Sequence, residues 1–193
     1  MTGAAVSTDP GARALAGGRS GGPGQARPPR AWTLPADVDT DQLAPGQTMK
    51  HGIDVTAAQC LHAVRPDFAA GVQRGDVLVA GPRFGIGSSR EQAASVLVHL
   101  GVAAVVAPSF SGLYLRNAFN VGLLLLTCAR AGEIEDGESV RVDARAGAVV
   151  REDGTVLPCA PIPGFLLDMV EAGGLLPQLK KRLLAARTQE TAP

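Results

Sequence analysis

Between Val77 and Leu126 the chain alternates short apolar runs with segments whose apolar residues recur at helical spacing. Val77-Leu-Val-Ala80 is β-branched, uncharged and ended by Gly81-Pro82, which predicts a buried strand. In the next segment Ala93, Val96, Leu97 and Leu100 fall on one helical face until Gly101, and Ser88 with Glu91 three residues on predicts a capped helix start. Val102–Ala107 predicts a second strand, Phe110–Asn120 a second helix stopped by Gly122, and Leu123–Leu126 a third strand. This β-α-β-α-β order implies right-handed crossovers and a mostly parallel sheet.

Outside this stretch the pattern changes. Ser139–Asp143 alternates, Gly147 marks a turn, and Asp153-Gly154 separates two short runs, so antiparallel hairpin strands added to the sheet are expected. Ile162–Met169 and Leu175–Leu184 predict closing helices, and Val55–Val64 an earlier one. Asp37–Leu43 opens a loop in which Asp39 and Asp41 are expected to hold turns. Residues 1–30 hold seven glycines, four prolines and four arginines against a single acid, Asp9, and predict a disordered tail. The expected organisation is that tail, one α/β domain over residues 31–187, and a frayed end over residues 188–193.

Composition narrows the class. The chain has 193 residues and is 46% hydrophobic, enough for one sizeable core. Eighteen basic and eighteen acidic side chains cancel without a basic stripe, which disfavours a nucleic-acid partner. No apolar run approaches the ~20 residues of a membrane span. Cys60, Cys128 and Cys159 are scattered, so neither a disulfide framework nor a metal site within this chain is expected, and a cytoplasmic setting fits.

The candidate chemistry lies in Gly81-Pro-Arg-Phe-Gly-Ile-Gly-Ser-Ser-Arg-Glu-Gln-Ala93. A glycine-rich turn between strand and helix gathers free N–H groups where an anion can bind. A Walker A loop needs lysine where Gly87 stands, and a dinucleotide fingerprint needs glycine where Arg90 stands. An acyl-transfer elbow reads G-x-S-x-G, whereas Arg90 and Glu91 follow Ser89, and His51, His62 and His99 carry no motif. Two readings stay open from the residues alone. Either the serines and the planar fork of Arg90 grip a carboxylate, or Ser88 only caps and Arg90 only pairs with Glu91.

Three motifs together resemble a known family: Phe84-Gly-Ile-Gly-Ser-Ser-Arg-Glu91, Pro108–Leu123 with its Arg-Asn-Ala-Phe-Asn core, and Asp39-Thr-Asp-Gln-Leu-Ala-Pro45. The chain resembles the swivelling domain of the aconitase superfamily and, as a free-standing chain, the small subunits of 3-isopropylmalate dehydratase and its relatives. The resemblance covers residues 33–185. It implies a swivelling β/β/α-type fold and a hydro-lyase half-site, with Ser88 as the base and Ser89 and Arg90 on the substrate carboxylate. Gly87 and Lys50 are further expected substrate contacts, with Met49 beside Lys50, and Thr40, Asp41, Gly85 and Glu91 support them. It also implies a large subunit carrying a [4Fe–4S] cluster, no cofactor in this chain, a small hydroxy-carboxylate substrate, and a role in leucine biosynthesis. Citrate-like, homoaconitate-like or dimethylmalate-like substrates, or a silent anion-binding module, are the alternatives.

The chain departs from the family pattern at Ile86, often cysteine, at Gln92, often histidine, and over Gly46–Gly52. Tyr114 is expected in the core, and Arg116, Asn117 and Asn120 in structural roles. Making a serine alkoxide near neutrality means lowering its pKa by about six units, or about 8 kcal/mol. A helix terminus contributes at most ~2 kcal/mol, so other groups must contribute and the isolated chain is expected to be inactive.

Overall fold

The structure, a computed structural model, describes residues 27–190. Most of the expected N-terminal tail and the last three residues therefore lie outside the described residues. Residues 27–30, assigned above to the tail, instead run along the body: Arg27 pairs with Asp76, whose carboxylate also accepts the Arg30 N–H at 3.1 Å.

Four parallel strands form the central sheet in the order β1 (Ala31–Leu34), β2 (Val77–Ala80), β3 (Ala104–Ala107) and β4 (Leu124–Thr127). The last three lie on the apolar runs read from the sequence. The first, Ala31-Trp-Thr-Leu34, has no run of its own and pairs in register with β2 from Ala31 against Val77 to Leu34 against Ala80. Its edge is held by Asp136, which accepts from the Thr33 N–H at 2.9 Å and from the Arg65 guanidinium. Trp32 anchors it below, edge-on to Phe68 at 5.3 Å and flanked by the guanidinium groups of Arg30 and Arg65.

The helices are α1 (Thr40–Leu43), α2 (Ile53–Ala58), α3 (Phe68–Gly71), α4 (Gln92–His99), α5 (Gly112–Asn120), α6 (Gly164–Glu171) and α7 (Leu175–Glu190). The helix expected over Val55–Val64 stops early, because Leu61 takes a left-handed conformation (φ 59°) and turns its N–H onto Gln42 O. That turn closes the chain back onto α1.

Both sheet faces are covered, which is why the strands read as unbroken apolar runs. Leu78, Ala80, Val105, Ala107 and Leu125 face the helical layer with Leu97, Tyr114 and Phe119. Val77, Val79, Ala104, Val106, Leu124 and Leu126 face Val140, Val149 and Leu157. Val149 and Leu157 lie on strands that do not sit where the hairpin signals put them. Strands β5 (Arg141–Asp143), β6 (Ala148–Val150) and β7 (Val156–Pro158) form a separate three-stranded antiparallel sheet and do not extend the parallel one. The edges they would have joined are already in use: Ala31 exchanges backbone bonds with Gly137 and Glu138, and Thr127 O accepts from Ala160. The small sheet therefore caps a face. No described helix is long and apolar enough to cross a membrane.

Candidate functional site

Parallel pairing does not end with the strands. Beyond β1 and β2 the Asp37 N–H reaches Pro82 O at 3.0 Å, the Gly85 N–H reaches Val38 O at 2.7 Å and the Thr40 N–H reaches Ile86 O at 2.9 Å. Phe84 makes the same exchange with the segment after β3, donating to Ser109 O and accepting from Ser111 N–H. Three loops are thus zipped together at the carboxyl ends of the strands, where open α/β sheets bind their ligands.

Glycine makes the zip possible. A Cβ on Gly81 would stand 2.6 Å from Ala36 N, and one on Gly85, where φ is +78°, would stand 2.2 Å from Tyr114 Cγ. No other residue fits at Gly85 without displacing the tyrosine. Tyr114 itself is core, edge-on to Phe84 at 5.3 Å. Burial raises its pKa well above the usual 10, so its hydroxyl stays protonated and donates to Ala93 O. At the loop entrance Asp37 and Arg83, both at positive φ, form an ion pair.

Beyond Gly87 (φ +100°) the chain turns sharply at Ser88, whose carbonyl accepts the Arg90 N–H at 2.7 Å. The helix does not start at Ser88 as its capping pattern predicts. Helix α4 begins at Gln92, after Glu91 in helical backbone geometry, and no side chain caps it. The capping box lies instead at α1, where the Asp39 carboxylate accepts from the Gln42 N–H at 2.7 Å and the Gln42 side chain accepts from the Asp39 N–H at 2.9 Å. Ser88 and Ser89, spared the capping role, are both exposed.

Arg90 does not pair with Glu91. Its Nη1 donates to Asp41 Oδ1 and, at 3.3 Å, to Ala44 O, and its side chain is only 22% exposed. Nε and Nη2 make no hydrogen bond among the described residues. The guanidinium is therefore held by one corner with a two-pronged edge left for a carboxylate. The loop at Gly46 runs beside the guanidinium, where a Cβ would make an ordinary contact 3.7 Å from Arg90 Nη2.

The other expected residues fall as follows. Thr40 is buried beneath Gly87, and Glu91 lies exposed at the start of α4. Lys50 is exposed on the 3-10 turn Met49–His51 and makes no ion pair among the described residues. Asn117, given a structural role by its sequence context, stands with Nδ2 3.5 Å from Ser89 Oγ. The usable signal was spacing: Asn117 is one helical turn beyond Tyr114, which packs under the glycine loop. Asp41 also lines an open depression of about 380 Å³ with Gln47, Gln59 and His62, a surface separate from the two serines.

The thiols do not fit an iron–sulfur cluster. Cys60 and Cys128 are fully buried, burial pushes the Cys60 thiol up, and burial with the neighbouring Cys128 pushes Cys159 up to about 12. No three His, Cys, Asp or Glu side chains gather to hold a metal among the described residues.

Comparison with known proteins finds relatives over most of this chain. Residues 44–131 match the aconitase C-terminal domain. The chain is 40% identical over 155 residues to 3-isopropylmalate dehydratase small subunit 1 of Methanopyrus kandleri, covering 79% of this chain and 91% of that one. It is 38% identical over 149 residues to the methanogen homoaconitase small subunit of Methanothermobacter thermautotrophicus, covering 76% and 86%. It also superposes on crystalline 3-isopropylmalate dehydratase of Methanocaldococcus jannaschii with a TM-score of 0.78 at 36% identity, covering 83% of this chain and 97% of that one. At this identity and coverage, the chain belongs to the 3-isopropylmalate dehydratase small-subunit family of the aconitase superfamily.

Proposed function

We propose that the chain is the proton-handling half of a hydro-lyase, which moves a hydroxyl between adjacent carbons of a dicarboxylic acid by removing and re-adding water. The observation that carries this reading is the pairing of an exposed Ser88-Ser89 with an Arg90 whose free edge is held in place by Asp41. Ser88 Oγ takes the proton from the carbon next to a carboxylate and returns it on rehydration. Ser89 and Arg90 bind that carboxylate, which disperses the charge developing on the carbon. Asp41 and Ala44 O keep the guanidinium from swinging, so its edge is already aimed when substrate arrives.

On this reading departure of the hydroxyl would be assisted by a [4Fe–4S] cluster in a large subunit, since the described cysteines are scattered and the Cys60 and Cys159 thiols are pushed up by burial. Bound there, the cluster would supply Lewis-acid polarisation of the substrate hydroxyl. The field at the start of α4 gives Ser88 little help, because it falls off within a turn and Ser88 lies four residues before Gln92. Nearby hydrogen bonds and exclusion of water by the large subunit have to do most of the work. The isolated chain is accordingly inactive.

The relatives' names support 2-isopropylmalate as substrate, interconverted with 3-isopropylmalate in leucine biosynthesis. A homoaconitate-type substrate is the second reading, supported by the methanogen relative's name, and on it the exposed Lys50 would receive the additional carboxylate. The test is reconstitution with a cluster-loaded large subunit and ultraviolet detection of the unsaturated acid, with isopropylmalate and homocitrate-type acids as substrates. Ser88→Ala abolishes turnover on this reading, and normal turnover by that variant would remove Ser88 from the chemistry.

A further inference from the structure

Thr40 is 1% exposed, and its hydroxyl has no hydrogen-bond partner among the described residues. Such atoms are scarce in folded proteins and call for an explanation. Its backbone needs none, since the Thr40 N–H is bonded to Ile86 O and the Thr40 carbonyl accepts from Ala44. Packing does not explain the hydroxyl either, because valine has the same branched shape without the polar atom.

The hydroxyl faces the glycine loop. A Cβ on Gly87 would stand 3.0 Å from Thr40 Oγ1, so the missing side chain leaves that oxygen looking directly at the loop backbone. Gly87, at φ +100°, is also the residue most able to change its dihedrals at small cost. The next residue is Ser88, whose Oγ is likewise unbonded among the described residues. Two hydroxyls without partners, one buried and one exposed, are thus separated by a single flexible residue.

We propose that Thr40 is a positioning residue whose hydroxyl is held in reserve for Ser88 and donates to Ser88 Oγ when the site closes against the large subunit. The inference rests on Ser88 acting as the base. No proton is transferred: Thr40 keeps its own and shares it in a hydrogen bond, while Ser88 Oγ accepts the substrate proton. A donor aimed at an oxygen favours that oxygen's charged form, which is the form the base requires. The arrangement also keeps the isolated subunit from holding a preformed base at an exposed loop.

The test compares Thr40→Val and Thr40→Ser, each as the isolated chain and reconstituted with the large subunit. In the isolated chain Thr40→Val is expected to melt no lower than wild type, because it removes an unpaired polar atom. In the complex it is expected to lower kcat roughly 100- to 1,000-fold, the size of a lost transition-state donor, with KM within about twofold. Thr40→Ser restores kcat. A Thr40→Val chain that is clearly less stable or does not fold would show that the hydroxyl is already bonded in the isolated subunit, and would overturn the proposal. So would an unchanged kcat. If Ser88→Ala abolishes turnover and Thr40→Val does not, only the reserve donor fails; if Ser88→Ala is active, the reading of the base fails first.

Discussion

The two ends of strand β2 treat polar groups in opposite ways. At its start Asp76 is 1% exposed, yet its carboxylate accepts from both Arg27 Nη atoms, the Trp32 indole at 2.8 Å and the backbone N–H groups of Arg30 and Gln73. At its far end Ser88 and Ser89 are exposed, Arg90 keeps an open edge, and the Thr40 hydroxyl is buried without a partner. A buried carboxylate saturated with donors rigidifies the structure around it, even though Arg30 Nε beside it is buried without a hydrogen-bond partner and only stacks on Trp32. Donors and acceptors left unspent, on a loop zipped to that structure, remain available for substrate and partner. Stability and chemistry are therefore divided between opposite ends of one four-residue strand.

The division can be broken at either end. The largest effect on stability is expected from Asp76→Asn, which leaves Arg27 facing a neutral amide and removes acceptor capacity from five donors. It should cost about 3 kcal/mol of stability, read from denaturant midpoints, and leave the kcat of the folded, reconstituted enzyme unchanged. An effect on kcat comparable to that on stability would mean the two ends are not independent.

Acid titration sharpens the same contrast. Burial raises the Asp76 pKa, but the bonds from Arg27, Trp32, Gln73 and Arg30 outweigh it and hold the carboxyl at about 2. Because the folded pKa lies below the unfolded one, the stabilisation is fully present above about pH 4. It is lost as pH falls from about 4 towards 2, and amounts to roughly 2 kcal/mol. Wild type should lose this increment over that window and Asp76→Asn should not, as followed by circular dichroism.

Smaller effects belong to the reactive end. Arg90→Lys should raise KM about 10- to 30-fold with stability nearly unaltered, because an ammonium cannot reproduce the planar edge that Asp41 presents. Lys50→Ala should raise KM less than about fivefold for isopropylmalate and more for an acid with an additional carboxylate. Equal effects on both acids would remove Lys50 from substrate choice.

Much of this was legible in the sequence because burial and periodicity are local signals. Val77–Ala80, Val102–Ala107 and Leu123–Leu126 announced three strands, and Gly101 and Gly122 the ends of two helices. Strand β1 was not legible, since Ala-Trp-Thr-Leu carries no alternation and owes its place to pairing with β2 and to Asp136. The small sheet was read as strands but attached to the wrong place, because hairpin signals say nothing about which edges are already occupied.

At the site, motif content was legible and geometry was not. Ser88 with Glu91 satisfied the capping pattern, but the tight turn bonding Arg90 N–H to Ser88 O postpones the helix to Gln92. The Arg90–Asp41 tether joins residues 49 positions apart, and the unpartnered Thr40 hydroxyl lies against Gly87, 47 positions along the chain. Neither is a property of any short stretch of chain.

The most direct measurement is turnover at saturating substrate by the reconstituted enzyme carrying Ser88→Ala, set beside Asp76→Asn at a temperature where both are folded. The account predicts that Ser88→Ala loses at least about a thousandfold in kcat with an unchanged melting temperature, while Asp76→Asn keeps wild-type kcat on a less stable chain. A Ser88→Ala enzyme that turns over normally would contradict it.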